Sequence, residues 1–112
     1  MKIIKNNIIP FDGFDAMTIW PFIFVRKGDT LTPRVIRHEE IHGEQQKEML
    51  LIFFLLWYYI EWLVKWVYYR DKEKAYDNIS FEREAYAHQY EPLYLYNRKH
   101  FTWIKYLSNS NI

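Results

Sequence analysis

Two histidines four residues apart, His38 and His42, bracket Glu39, Glu40 and Ile41 in the run His-Glu-Glu-Ile-His. On an α-helix, positions i and i+4 share one face a turn apart, so both imidazoles can converge on a single metal ion. Glu39 would project beside that ion, where its carboxylate can take a proton from a water molecule. Zinc suits such a set: two neutral nitrogen ligands, a third protein ligand from elsewhere, and an open position for water or substrate. The competing reading is a solvated helix with two surface histidines and two surface glutamates.

The elements around the motif must place it on a helix. Thr32 is a good N-cap, and Pro33 fits the first helical position, where its missing N–H costs nothing. Val35, His38, Ile41, His42, Gln45 and Met49 then recur at three- and four-residue spacing, which predicts a helix over 32–48. Gly43 reads as a tolerated interior glycine, at about 1 kcal/mol, in preference to a point of close approach. Glu40 should face away from the metal, toward solvent or Arg37 and Gln45.

The third ligand cannot be a thiolate, because the chain has no cysteine. His88, His100 and the carboxylates remain. The best segment runs from Asn78 to His88, Asn-Ile-Ser-Phe-Glu-Arg-Glu-Ala-Tyr-Ala-His. It reads as a second amphipathic helix over 78–91, capped by Asn78 or Ser80 and stopped by Pro92.

With that segment, the chain resembles the gluzincins, metallopeptidases in which HExxH on one helix is completed by a glutamate on a later one. In several of their branches, including membrane-embedded peptidases, the later helix carries Glu-x-x-Ala, and Glu82 with Ala85 matches that pattern. The resemblance implies Zn(2+) held by His38, His42 and Glu82, with Glu39 as general base for amide hydrolysis in a peptide or protein substrate. Glu84, two residues from Glu82, is the rival ligand. Tyr86 stands where many gluzincins carry an aspartate that orients a metal-bound histidine, so Asp77, Glu84 or a backbone carbonyl is left to fix the tautomer. Tyr86, His88 and Tyr90 are the candidate proton donors to an oxyanion. More loosely, the stretches PFDGF, WPFIFVR, HEEIHGEQQ and FEREAY are similar to a group of small bacterial proteins with a metallopeptidase core, over nearly the whole chain.

Composition bounds the remaining possibilities. At 112 residues the chain is one domain, 1–112. Its 15 basic and 14 acidic residues give a net charge of +1, and with no basic run or glycine-rich phosphate loop nothing points to nucleic acid. Aromatic residues make up 21%, enough either to build a core or to face a bilayer surface. Residues 1–7 lack the apolar core and cleavage site of a signal peptide, so the expected location is cytoplasmic, with a peripheral place on the inner face of the membrane as an extension.

That extension comes from the apolar stretch 49–70. Met49 to Ile60 carries no charge, and after Glu61 the apolar character resumes through Tyr69. Twelve apolar residues fall short of the roughly 20 that cross a bilayer. Glu61 and Lys65, four apart, would share one stripe. Three settings fit residues 49–69: a core helix behind the metal site, a membrane-surface contact, or a homodimer face.

The expected fold is α+β, with short N-terminal strands or a hairpin in 1–31 followed by three to four helices, a minimal zincin-like core. Residues 2–9 read as a short strand. Residues 16–27 read as another, ending at Gly28-Asp29 with Pro21 at a bulge or edge. The gluzincin resemblance implies that part of 17–26 offers a free edge to substrate; the alternative is an ordinary hairpin covering the helices. Residues 70–77 read as a solvated connector and 93–108 as a terminal helix. Three kinds of function follow: a zinc-dependent hydrolase, a catalytically idle metal-binding domain, or a membrane-associated or oligomeric interaction protein.

Overall fold

A computed structural model describes residues 1–6, 16–26 and 31–108; the end of the 2–9 stretch, Gly13, Gly28-Asp29 and the last four residues lie outside them. The fold is α+β. Strands β1 (Lys2–Asn6), β2 (Ala16–Ile19) and β3 (Phe22–Arg26) form a sheet in the order β1-β3-β2, β1 parallel to β3 and β2 antiparallel to it. Thr18 opposes Ile23, and opposed residues point to the same face. Thr18, Ile23 and Val25 are all buried, and Thr18 meets the first helix from that face.

Residues 16–26 are therefore not one strand but the alternative hairpin, packed on the first helix. They fold back at Trp20-Pro21 into two, because Pro21 has no N–H to give to a ladder and sits best in the turn. Among the described residues β2 is an edge strand, but part of that edge is engaged. Gln46 donates from Nε2 to the Thr18 carbonyl (2.8 Å) and accepts from the Trp20 N–H (2.6 Å).

Helix α1 (Pro33–Glu48) starts where Thr32 Oγ1 accepts from the Val35 N–H, with proline at the first position. Gly43 on this helix is a place of close approach after all: a Cβ there would come within 2.5 Å of Met1 Sδ. The chain then turns through 112° into α2 (Ile52–Tyr69), with Leu50 and Leu51 at φ 55° and 53°. Positive φ is unfavourable for a branched side chain, so the corner is held from outside. The Leu51 N–H reaches the Gln46 carbonyl at 2.7 Å.

Helix α2 is built with its polarity reversed. Its two charged residues, Glu61 and Lys65, are both buried, while Ile52, Phe53, Leu56, Ile60, Val64 and Val67 are each half exposed or more. The pair is joined at 2.8 Å. Glu61 also accepts from the Ser80 N–H and hydroxyl, both at 2.6 Å, and from Trp57 Nε1 at 3.1 Å. Lys65 Nζ donates to the Asn78 carbonyl.

After the short helix α3 (Lys72–Asp77), capped by Asp71, comes α4 (Ser80–His88). It is shorter than the expected 78–91, and neither Asn78 nor Ser80 caps it with its side chain. The cap is the Glu61 carboxylate from α2, an anion at a helix N-terminus. Phe54, Ile79, Phe81 and Trp103 form the core behind α4, with Phe54 and Phe81 ring centroids 4.4 Å apart.

The expected terminal helix over 93–108 is broken into α5 (Tyr94–Asn97), a 3-10 turn (Thr102–Ile104) and α6 (Lys105–Ser108). Arg98 leaves helical geometry to reach Glu84 (Nε–Oε2 2.5 Å) and Glu48, and the Phe101 N–H donates to Glu48 at 2.9 Å. Among the described residues no single helix is long and apolar enough to cross a membrane, while the bent pair α1 and α2 together reaches that length and composition.

Candidate metal centre

His38 and His42 project from the buried face of α1 toward α4, whose first turn delivers Glu82. Glu82 Oε1 lies 3.1 Å from His38 Nε2 and 3.1 Å from His42 Nε2, and the two Nε2 atoms are 3.2 Å apart. Ligand atoms around a tetrahedral zinc with bonds near 2.0–2.1 Å stand about 3.3 Å apart. The triangle has that size.

Proton placement sharpens the comparison. His42 Nδ1 faces Gln45 Oε1 at 2.8 Å, and His38 Nδ1 faces Gln89 Oε1 at 2.8 Å. The Gln45 amide orientation is fixed, because its Nε2 donates to Glu84 Oε1 (2.9 Å) and to the Phe81 carbonyl (3.1 Å). An amide oxygen only accepts, so both Nδ1 atoms carry the proton and both neutral rings turn an Nε2 lone pair toward Glu82. The second carboxylate oxygen of Glu82 is held by the Tyr58 hydroxyl at 2.7 Å. Three lone-pair atoms thus converge on one point in a buried site, an arrangement that requires a cation among them.

In the metal-free chain a proton is that cation. Burial works against a charge on His42, but the Glu82 carboxylate and its hydrogen bond outweigh it and raise the imidazole to about 9. Burial pushes Glu82 the other way, toward protonation, yet the His42 charge and the two histidine hydrogen bonds hold it well below the usual carboxylate range. Glu39 is moved upward by burial, against the His42 charge and the Thr18 hydrogen bond. Thr18 Oγ1 stands 2.7 Å from Glu39 Oε1. A carboxyl shifted toward neutrality is what a general base needs.

The other sequence candidates have different places. Glu84 is not in the triangle; it is fully buried and braces Gln45, taking hydrogen bonds from Tyr94 (2.6 Å) and Arg98 as well. His88 is neither ligand nor brace, since it stacks on Tyr94 and pairs with Glu91 and Tyr106. His100 is almost fully exposed. Tyr86 sets its ring against His38, centroids 4.6 Å apart, and Tyr90 is exposed. The tautomer acceptors are Gln45 and Gln89, not Asp77 or a carbonyl. Gln45 had a signal, three residues past His42 on the same face; Gln89, Tyr58 and Thr18 had none.

A cleft of about 670 Å³ reaches this site, lined by Glu39, His42 and Glu82, by Thr18 on the β2 side, and by Tyr58 and Tyr76 on the other. Known protein-family models, curated proteins and solved structures give no match to the chain. The chemistry must be read from these residues.

Proposed function

We propose that the chain is a zinc-dependent hydrolase acting on amide bonds, of the gluzincin kind. The observation that carries this is the convergence of His38 Nε2, His42 Nε2 and Glu82 Oε1 within 3.2 Å of one another, beside a buried carboxylate at an open cleft. His38 and His42 would hold the metal as neutral imidazoles, kept in that tautomer by Gln89 and Gln45, and Glu82 would neutralise one of its charges. Bound there, zinc supplies a Lewis acid that makes water more acidic and polarises a carbonyl.

The chain's own residues supply the rest. Glu39, oriented by Thr18, accepts a proton from water in the cleft and returns it to the leaving nitrogen. Of Tyr86, His88 and Tyr90, Tyr86 has its ring against His38, and its hydroxyl would be the one to stabilise an oxyanion. An extended peptide entering past β2 finds Gln46 already pairing with Thr18 and Trp20, so its backbone would align upstream, near Ala16 and Met17. A catalytically idle site is less well supported: among the described residues no fourth histidine or carboxylate joins the triangle, and the cleft reaches it.

The test is cleavage of a mixed-sequence peptide library by zinc-loaded protein, compared with Glu39→Gln. Loss of cleavage by about 10²-fold or more with zinc content unchanged supports the reading. Equal cleavage by both proteins, or none by the zinc-loaded native chain on any peptide, contradicts it.

A further inference from the structure

The reversed polarity of α2 is not used by the metal centre and asks for its own explanation. From residue 49 to 69 the only formal charges are Glu61 and Lys65, and both point inward, satisfied by each other, Ser80 and the Asn78 carbonyl. At 3.6 residues per turn, the exposed positions of α2 sweep roughly 220° of its circumference. That arc is uncharged along the whole helix, and Tyr59 and Tyr68 carry its only hydroxyls. It includes Phe53 (57% exposed), Leu56 (54%), Val64 (63%) and Val67 (77%).

Water is a poor neighbour for such an arc. A flat protein partner covers one side of a helix, and protein interfaces carry about one hydrogen bond per 100–200 Å². Here the exposed arc offers few polar atoms, the Trp57 indole N–H being spent on Glu61. Lipid, by contrast, wraps any convex apolar surface without needing polar partners. The order of side chains along α2 is also that of a membrane interface. The corner and first turn, residues 50–56, are aliphatic and phenylalanine, and the rest of the helix gathers Trp57, Tyr58, Tyr59, Trp62, Trp66, Tyr68 and Tyr69. Cations stand at that aromatic end, Lys72 Nζ 4.6 Å over the Trp66 ring and Lys74 Nζ 4.8 Å over the Tyr69 ring. Uncharged arc against hydrocarbon, aromatic rim and the mixed charges of Arg70 to Lys74 against headgroups: this order matches a bilayer surface.

We propose that the exposed face of α2 docks onto a lipid bilayer, with the Leu50-Leu51 corner and the first turn of α2 seated among acyl chains and the aromatic end at the headgroups, without crossing the membrane. A shallow groove of about 410 Å³ between the corner and this face, floored by Met49, Phe53 and Trp57, has the lining to take an acyl chain. Leu55 lies on the exposed arc and also lines the cleft, so docking sets the cleft beside the bilayer surface. The proposal does not depend on the metal reading.

Flotation of purified chain with vesicles of phosphatidylcholine and phosphatidylglycerol tests it, beside the double variant Leu56→Glu/Val67→Glu and with oligomeric state measured in parallel. Both substitutions sit on exposed positions, and far-ultraviolet circular dichroism with zinc content of the same samples confirms an intact fold. The expected result is native chain in the lipid fraction and a partition about tenfold or more lower in the double variant. Native chain that remains in the aqueous fraction overturns the proposal. So does a dimer abolished by the double variant with no vesicle binding, which would give the face to a second copy. Vesicle binding that the double variant leaves unchanged also overturns it.

Discussion

Helices α1 and α2 meet at one corner and treat polarity in opposite ways. The inner face of α1 carries His38, Glu39, His42, Gln45 and Gln46, all buried, and the protons between them are arranged so that unshared lone pairs meet at one point. The inner face of α2 carries one ion pair whose every contact is closed, and its outer face is apolar. Both burials cost desolvation. In α2 the charges cancel and the result is a rigid joint between α2 and α4. At α1 three lone-pair atoms of His38, His42 and Glu82 converge beside a cleft, an arrangement suited to binding a cation rather than to bracing two helices.

That contrast can be broken most severely at the strut. Lys65→Met leaves Glu61 buried with its charge uncompensated, and should lower the unfolding free energy by about 3–5 kcal/mol in chemical denaturation. A change under about 0.5 kcal/mol would mean that the pair is solvated and the joint loose. At the site the same kind of change acts on binding instead. Gln45→Ala removes the acceptor of His42 Nδ1 and the link to Glu84, and should weaken zinc binding about 10–100-fold in a chelator competition. An unchanged affinity would remove Gln45 from the account.

Protonation separates the two regions further. Because His42 sits at about 9 in the metal-free chain, zinc must displace a proton at neutral pH. Apparent affinity should therefore climb by about tenfold per pH unit between 7 and 9 and level off beyond. Stability of the metal-free chain runs the opposite way. The raised His42 contributes fully below its ordinary 6.5 and loses that contribution as pH rises through about 9, while the depressed Glu82 contributes above its ordinary 4.5 and loses it in acid. Denaturation midpoints across pH would show a maximum between those ordinary values. The smallest effect belongs to the outer face of α2, where Val64→Ser in aqueous monomer should change stability by no more than about 0.5 kcal/mol, since Val64 is 63% exposed.

Much of this was legible in the sequence, and the legible part was local. Helical spacing put His38 and His42 on one face, Thr32-Pro33 announced the start of their helix, and α+β architecture followed from turn residues and periodicity. The Glu-x-x-Ala match pointed to Glu82. What sequence did not yield depends on packing between distant segments: Thr18 on Glu39, Tyr58 on Glu82, Gln89 on His38, and Arg98 breaking the helix expected over 93–108. The stretch 49–70 is the clearest instance. Composition reported an apolar helix and spacing reported that Glu61 and Lys65 share a stripe, but only the approach of Ser80 and Asn78 decides that this stripe faces inward. The same is true of Glu61 as the cap of α4, a role that no residue near Ser80 could have announced.

The central claim is that the triangle of His38, His42 and Glu82 holds zinc. Elemental analysis of purified chain after equilibration with zinc and removal of excess, native against Glu82→Ala, tests it most directly. The account predicts about one zinc per native chain and a large loss in Glu82→Ala. A folded native chain that retains no zinc would contradict it.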